Sequence, residues 1–257
     1  MQNNSVTIQN VFQIIFHISI MDLKVKYKGT VFGFIWSVVE PLVQLGVLYI
    51  IFSSLRSTDE GFVIYLFSGL IIIHLFSRGT TSGLQSLAMR KTILLSINIP
   101  KIIFPISSVM TNVWMFGIEL VIFFLFMFGL QIQITSTILF LPIVLLILII
   151  LIMGISILLS ILRLYFKDIQ TLWGILTMSL IFITPVFWHV KDMPENVKEI
   201  LMLNPLAVLM EMMHKVILFN TTPSLNEFVY ASSLSIGILF GSYIIYKKVE
   251  KRIAERL

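Results

Sequence analysis

Long apolar runs separated by short polar breaks dominate the chain. About 20 apolar residues in a helix, at 1.5 Å per residue, match the hydrocarbon thickness of a bilayer. The runs predict six membrane-spanning helices, at 31–55, 62–85, 102–130, 138–162, 169–188 and 226–246. The breaks are a polar loop with Arg56, Asp59 and Glu60, a longer segment at 86–101, an uncharged connector at 131–137 and a charged loop at 163–168. The predicted fold class is therefore an all-α integral membrane protein forming one domain over 1–257.

Two stretches depart from this rhythm. At 100° per residue, Asn10, Gln13, His17, Lys24 and Lys28 fall within an arc of roughly 60°. Apolar side chains such as Phe12, Ile15 and Phe16 lie elsewhere on the wheel, so residues 10–28 predict an amphipathic helix in the membrane interface. No positive charge precedes residues 11–20 and no small-residue cleavage site follows, which argues against a secretory leader. Gly29 then offers a turn into the membrane. Residues 189–225 are apolar but broken by charges and by Asn204-Pro205. They predict two short re-entrant helices within 190–219, with Asp192 as a candidate N-cap ahead of Pro194.

Composition strengthens this picture. Of 257 residues, 58% are hydrophobic and 12% are charged, whereas a soluble domain has about a quarter charged. The net charge of +5 belongs to membrane surfaces rather than to nucleic acid. Segments 1–30, 86–101, 163–168 and 247–257 hold thirteen of the eighteen lysines and arginines, and 56–61 with 189–225 hold four. That asymmetry predicts both termini on the cytoplasmic side of a multi-pass protein. With no cysteine there are no disulfides, thiolate nucleophiles or Cys-bound metals.

The chain has no phosphate-binding GxxxxGK[ST] loop, no HExxH and no GxSxG, and its four histidines are far apart. No catalytic or metal-binding residues are predicted. The ionisable groups inside the spans are Glu40, Arg78 and Glu119, with His74 nearby. Such groups face protein or water, so they predict either the lining of a conduit or pairing between helices, including Glu40 with Arg78. Glu119 is expected nearer a membrane face. Aromatic residues cluster at span ends, among them Phe34, Trp36, Tyr49, Trp173, Phe182 and Trp188. They suit an interfacial belt or, as a sliding surface, stacking against sugar rings. Segment 86–101, polar and long, is a candidate docking element.

Several motifs in order resemble a known family. An amphipathic helix ends in Lys24-Val-Lys-Tyr-Lys-Gly, and the first span reads Gly33-Phe-Ile-Trp-Ser-Val-Val-Glu-Pro41. Ile99-Pro100-Lys101, Leu164-Tyr-Phe-Lys-Asp168, Thr184-Pro185-Val186 and Asn204-Pro205-Leu206 follow. Together they resemble the ABC-2 permeases of polysaccharide exporters, of the O-antigen, teichoic acid and capsule type. Glu40 departs from the neutral residue that often precedes this proline. The resemblance implies a homodimer, two copies of a separate ABC ATPase that carries the ATP and Mg, and no cofactor in this chain. It implies a polyprenyl-diphosphate-linked glycan as substrate and membrane lipids as surroundings, in a bacterial or archaeal cytoplasmic membrane. It places the conduit at the first and fifth spans, which makes Phe34, Trp36, Glu40, Tyr49, Trp173, Phe182 and Trp188 conduit candidates. A coupling helix falls at 86–98, with Met89, Arg90, Lys91, Thr92 and Leu95 facing the ATPase. Lys24, Lys26, Tyr27 and Lys28 become candidates for a cytoplasmic gate or for attracting the lipid diphosphate. Competing expectations are an ABC-2 exporter of a drug or lipid, a membrane-embedded transferase and a secondary carrier.

Overall fold

The fold is that of a computed structural model, which describes residues 8–29, 35–53, 60–96 and 99–256. Among these residues all regular structure is helical. The α-helices are α1 (Ile8–Tyr27), α2 (Trp36–Ser53), α3 (Glu60–Met89), α4 (Lys91–Ser96), α5 (Ile103–Gly129), α6 (Leu141–Tyr165), α7 (Ile169–Ile183), α8 (Glu195–Leu201), α9 (Pro205–Ile217) and α10 (Leu225–Arg256). Phe34 lies outside the described residues.

Four of them, α3, α5, α6 and α10, are long and apolar enough to cross a membrane. The α8–α9 pair bends by 108° at its break, so it forms either a fifth, broken span or a re-entrant loop. The helices predicted as first and fifth spans are shorter. The 18 residues of α2 cover about 27 Å and the 15 of α7 about 22 Å. α7 ends at Ile183 rather than near 188, because Pro185 holds Thr184 in an extended conformation. Trp188 therefore lies in a turn beyond the helix.

Other boundaries also follow local chemistry. α1 stops at a turn in which Gly29 has φ +81°, a conformation that glycine adopts without a Cβ clash. α9 has Asn204 as its N-cap, accepting from the Leu206 N–H at 3.0 Å, with Pro205 in the first turn. Asp192 is not an N-cap: it sits in a 3₁₀ turn, and Pro194 occupies the cap position of α8. α3 continues past residue 85 to Met89, so the short helix expected at 86–98 narrows to α4. α10 runs well beyond 246. Tyr246 and Ile253 on its far end are buried with Ile157 and Ile161 of α6, and this packing carries the helix through the basic tail.

α3 is the most enclosed of the long helices and packs on α2, α5, α6, α7 and α9. Close approach depends on small residues, as is common where lipid removes most of the hydrophobic drive. A Cβ on Gly83 would stand 2.4 Å from the Ser156 Cβ, and one on Gly154 would stand 2.8 Å from the Leu239 backbone nitrogen. Charge is buried here too. Arg78 of α3 donates to Glu119 of α5 at 2.7 Å, with the Glu119 side chain 1% exposed. Glu119 is thus a core residue. Arg78 is bound to it, while Glu40 is exposed on α2.

Two stability outcomes follow. Glu119→Ala leaves the part-buried Arg78 guanidinium without its carboxylate and should cost about 1.5–3 kcal/mol in detergent unfolding, most of it recovered by Arg78→Met with Glu119→Leu. Gly154→Ala should cost about 1–3 kcal/mol because the obstructing atoms are backbone. Gly117→Ala, where a Cβ meets nothing within 4 Å, should stay within about 0.5 kcal/mol in the same assay.

Candidate functional site

Two turns of α3, from His74 to Thr80, organise the polar contacts of the bundle. His74 shares a hydrogen bond with Gln44 of α2 at 2.8 Å, Arg78 binds Glu119 of α5, and Thr80 accepts from the Trp173 indole of α7 at 3.0 Å. The Thr80 hydroxyl in turn donates to the Phe76 carbonyl at 2.7 Å. These bonds fix α2 and α7 on the same central helix. The two also meet where Phe52 at the end of α2 stacks on Phe187, 5.3 Å between centroids, and Phe182 packs edge-on against Phe187 at 5.8 Å.

Away from α3, both helices present apolar surface. On α2, Trp36 (52% exposed), Glu40, Val43 and Val47 share one stripe at spacings of four, three and four residues, one face of a helix. On α7, Leu172, Ile175, Leu176, Met178 and Phe182 (65% exposed) point outward. The conduit candidates thus separate. Trp36, Glu40 and Phe182 lie on the open faces, and Tyr49 is half-buried. Trp173 is held against α3, tilted on Phe76. Trp188 is buried, donating from its indole to the Phe182 carbonyl at 3.1 Å.

A cluster that sequence reasoning did not assemble lies at the same end of the molecule as Trp188. Tyr65 of α3 donates to the Trp188 carbonyl at 2.6 Å, and its ring stacks on His214 at 3.8 Å and meets His189 edge-on at 4.2 Å. Lys215 of α9 binds Glu227 of α10 at 2.5 Å. These contacts secure α9 between α3 and α10 and account for two histidines structurally.

At the opposite end, α1 packs on α5 by an unusual face. Its buried residue is Ser19, which accepts from the Trp114 indole at 3.1 Å through its hydroxyl and from Thr111 at 3.2 Å through its carbonyl. Phe12, Met21 and Val25 point outward, as suits a helix bathed in lipid on that side, while Phe16 meets the Trp114 ring edge-on at 5.8 Å. Asp22 binds Arg90, which also donates to the Ser108 hydroxyl at 3.2 Å and lies 5.5 Å over the Phe104 ring. Arg90, read from sequence as a docking residue, is therefore a joint between α1, the end of α3 and the start of α5. Asp22 was missed. Its signal was being the one acid in a helix that ends in lysines.

Met89 is 78% exposed beside this joint, and Lys91 and Thr92 are exposed in the first turn of α4. Leu95 lies in the same helix. Lys24 and Lys28 are exposed, and Tyr27 is half-buried. Lys26 is open along its stem, but its ammonium reaches the Met115 sulfur at 3.4 Å. Desolvation there and the neighbouring Arg78 pull its pKa below the ordinary lysine value, against the opposing pull of Glu40 and Glu119. Among the described residues no group of His, Asp and Glu side chains could hold a metal ion.

A multi-helix membrane bundle with open apolar faces at one side and a charged joint at one end has the make-up of a transport subunit. The sequence matches the ABC-2 type transporter family over residues 12–218, and the chain belongs to that family. It is similar to two proteins of Klebsiella pneumoniae named O-antigen export system permease protein RfbA, at 29% and 27% identity over 199 residues, 76% of each chain. It is also similar to a protein of that name from Myxococcus xanthus, at 23% identity over 239 residues, 92% of each chain. The protein is accordingly a multi-pass membrane subunit of a transporter rather than an enzyme, and the family implies a partner ATPase.

The Arg90 joint is open to a direct check. Arg90→Ala and Asp22→Asn should each release α1 by about 1 kcal/mol, and the double variant should do little more. Hydrogen exchange of the amides in residues 8–27 should accelerate several-fold and equally in all three variants.

Proposed function

We propose that this chain is the membrane half of an ATP-driven exporter that carries a polyprenyl-diphosphate-linked polysaccharide, of O-antigen type, out of the cytoplasmic leaflet. The observation that carries this reading is the shared name of the three relatives, O-antigen export system permease, aligned over 76–92% of the chain. Two copies pair, and each binds one ATPase. The open faces of α2 and α7 support this, since a glycan sliding between two subunits needs apolar and aromatic surface such as Trp36 and Phe182 and few strong binding groups. Glu40 supplies the one carboxylate on the α2 stripe. Both termini lie in the cytoplasm, in keeping with the basic residues near α1, α4 and the end of α10. The exposed Met89, Lys91 and Thr92 receive the ATPase, and the Arg90 joint passes its movement to α1.

The test is export in vesicles holding the full chain and the ATPase encoded beside it. ATP should drive the lipid-linked glycan into the lumen, and Met89→Glu, which puts a charge at the centre of the docking surface, should cut that rate about tenfold while leaving the bundle folded. Glycan movement that needs an ion gradient but no ATPase would overturn the reading. So would export of small amphiphiles with no glycan transported.

A further inference from the structure

A cavity of about 430 Å³ opens between α1, α3 and α5 beside the Arg90 joint. We propose that it binds the phosphate of a membrane lipid whose head also carries a hydroxyl group. Its walls combine Lys26, Arg90, Ser82, Gln85 and Asn112 with one carboxylate, Asp22. Asp22 is already bound to Arg90, so the pair is neutral and the Lys26 ammonium sets the sign of the cavity. Lys26 has no ion pair among the described residues, and its one hydrogen-bond acceptor there is the thioether of Met115. A thioether is a weak acceptor and leaves the ammonium's other donors for a stronger anion. Ser82 and Gln85 make no hydrogen bond to other described residues, so a hydroxyl and an amide are free to donate beside that ammonium.

Asn112 refines the ligand. Its amide nitrogen donates to the Ser108 carbonyl at 2.8 Å, while its Oδ1 is buried without a hydrogen-bond partner. A buried orphan acceptor asks for a donor, which a bare phosphate diester lacks and a neighbouring hydroxyl supplies. Location agrees. Ser82 to Met89 form the last two turns of α3, at the end of the bundle that carries Lys24, Lys26, Lys28 and Arg90, where lipid head groups lie. The volume far exceeds one water, about 30 Å³, and accommodates a head group. Two sources share this chemistry: a glycerol-headed phospholipid resident at the surface, and the sugar-diphosphate end of the transported lipid. The second source rests on the export reading above, and the first does not.

Native mass spectrometry of the full chain, titrated with defined lipids, tests the site. Phosphatidylglycerol or polyprenyl-diphosphate sugar should bind about tenfold more tightly than diacylglycerol or polyprenol, the difference expected of one charge-assisted hydrogen bond. Lys26→Gln and Gln85→Leu should each erase that preference, and Lys26→Arg should keep it. The tighter of the two phosphate lipids identifies the source. No preference for phosphate, or a preference unchanged in Lys26→Gln, overturns the proposal. Because the readout is binding alone, lost binding with intact ATP-driven export removes this site and leaves the exporter. Phospholipid binding without any export does the reverse.

Discussion

The bond between Arg78 and the buried Glu119 carboxylate is the constraint around which the bundle is arranged. Inside a membrane the hydrophobic effect does little to hold one apolar helix against another, so packing and polar bonds decide which helices touch and in what register. A buried carboxylate requires its guanidinium within reach, which sets the rotation of α3 against α5. The adjoining turns of α3 set α2 through His74 and α7 through Thr80. Small residues then allow α6 to close on the opposite side. The faces left over on α2 and α7 are apolar, with Val43 and Val47 on one and Leu172, Ile175 and Phe182 on the other.

This arrangement separates two kinds of surface. On the open faces of α2 and α7 the exposed side chains are mostly apolar, with Glu40 among them. At the α1 end they are charged and hydrogen-bonding, gathered around Arg90. A transporter benefits from the division: the path of the cargo stays slippery, while the parts that receive force are tied by directional bonds. Ser19 illustrates the second kind. Besides the apolar contacts of Phe16 with Trp114 and of Ile18 with Leu87, Leu94 and Phe104, α1 is attached by a serine, an aspartate and a lysine, whose directional bonds fix its register on α5.

Much of the fold was legible in the sequence because the bilayer imposes one simple rule, an apolar helix of sufficient length. That rule located the long helices, the amphipathic α1 and the broken α8–α9 pair. It failed where a local signal overrode hydrophobicity. Pro185 ends α7 early although Val186, Phe187 and Trp188 continue the apolar run. Tyr246, Val249 and Ile253 recur at helical spacing within the basic tail and extend α10, but the surrounding lysines mask the pattern. The site was harder to read. Pairing among Glu40, Arg78 and Glu119 depends on helix rotation, which hydropathy does not encode, and Asp22 finds Arg90 across 68 residues. Trp173 and Trp188 have the composition of a sugar platform, yet hydrogen bonds hold them against α3 and the turn beyond α7.

The length of α10 carries a mechanical meaning. Its 32 residues form a rod of about 48 Å. One end is tied by Lys215 to Glu227, and the other by Tyr246, which accepts from the Ile102 amide at 3.1 Å and donates to Glu250 at 2.8 Å. Tied at these two places and pressed against α6 at Leu239, the helix cannot slide along its axis. The segment leading into α5 and α9 on the far side are thereby joined to one continuous helix.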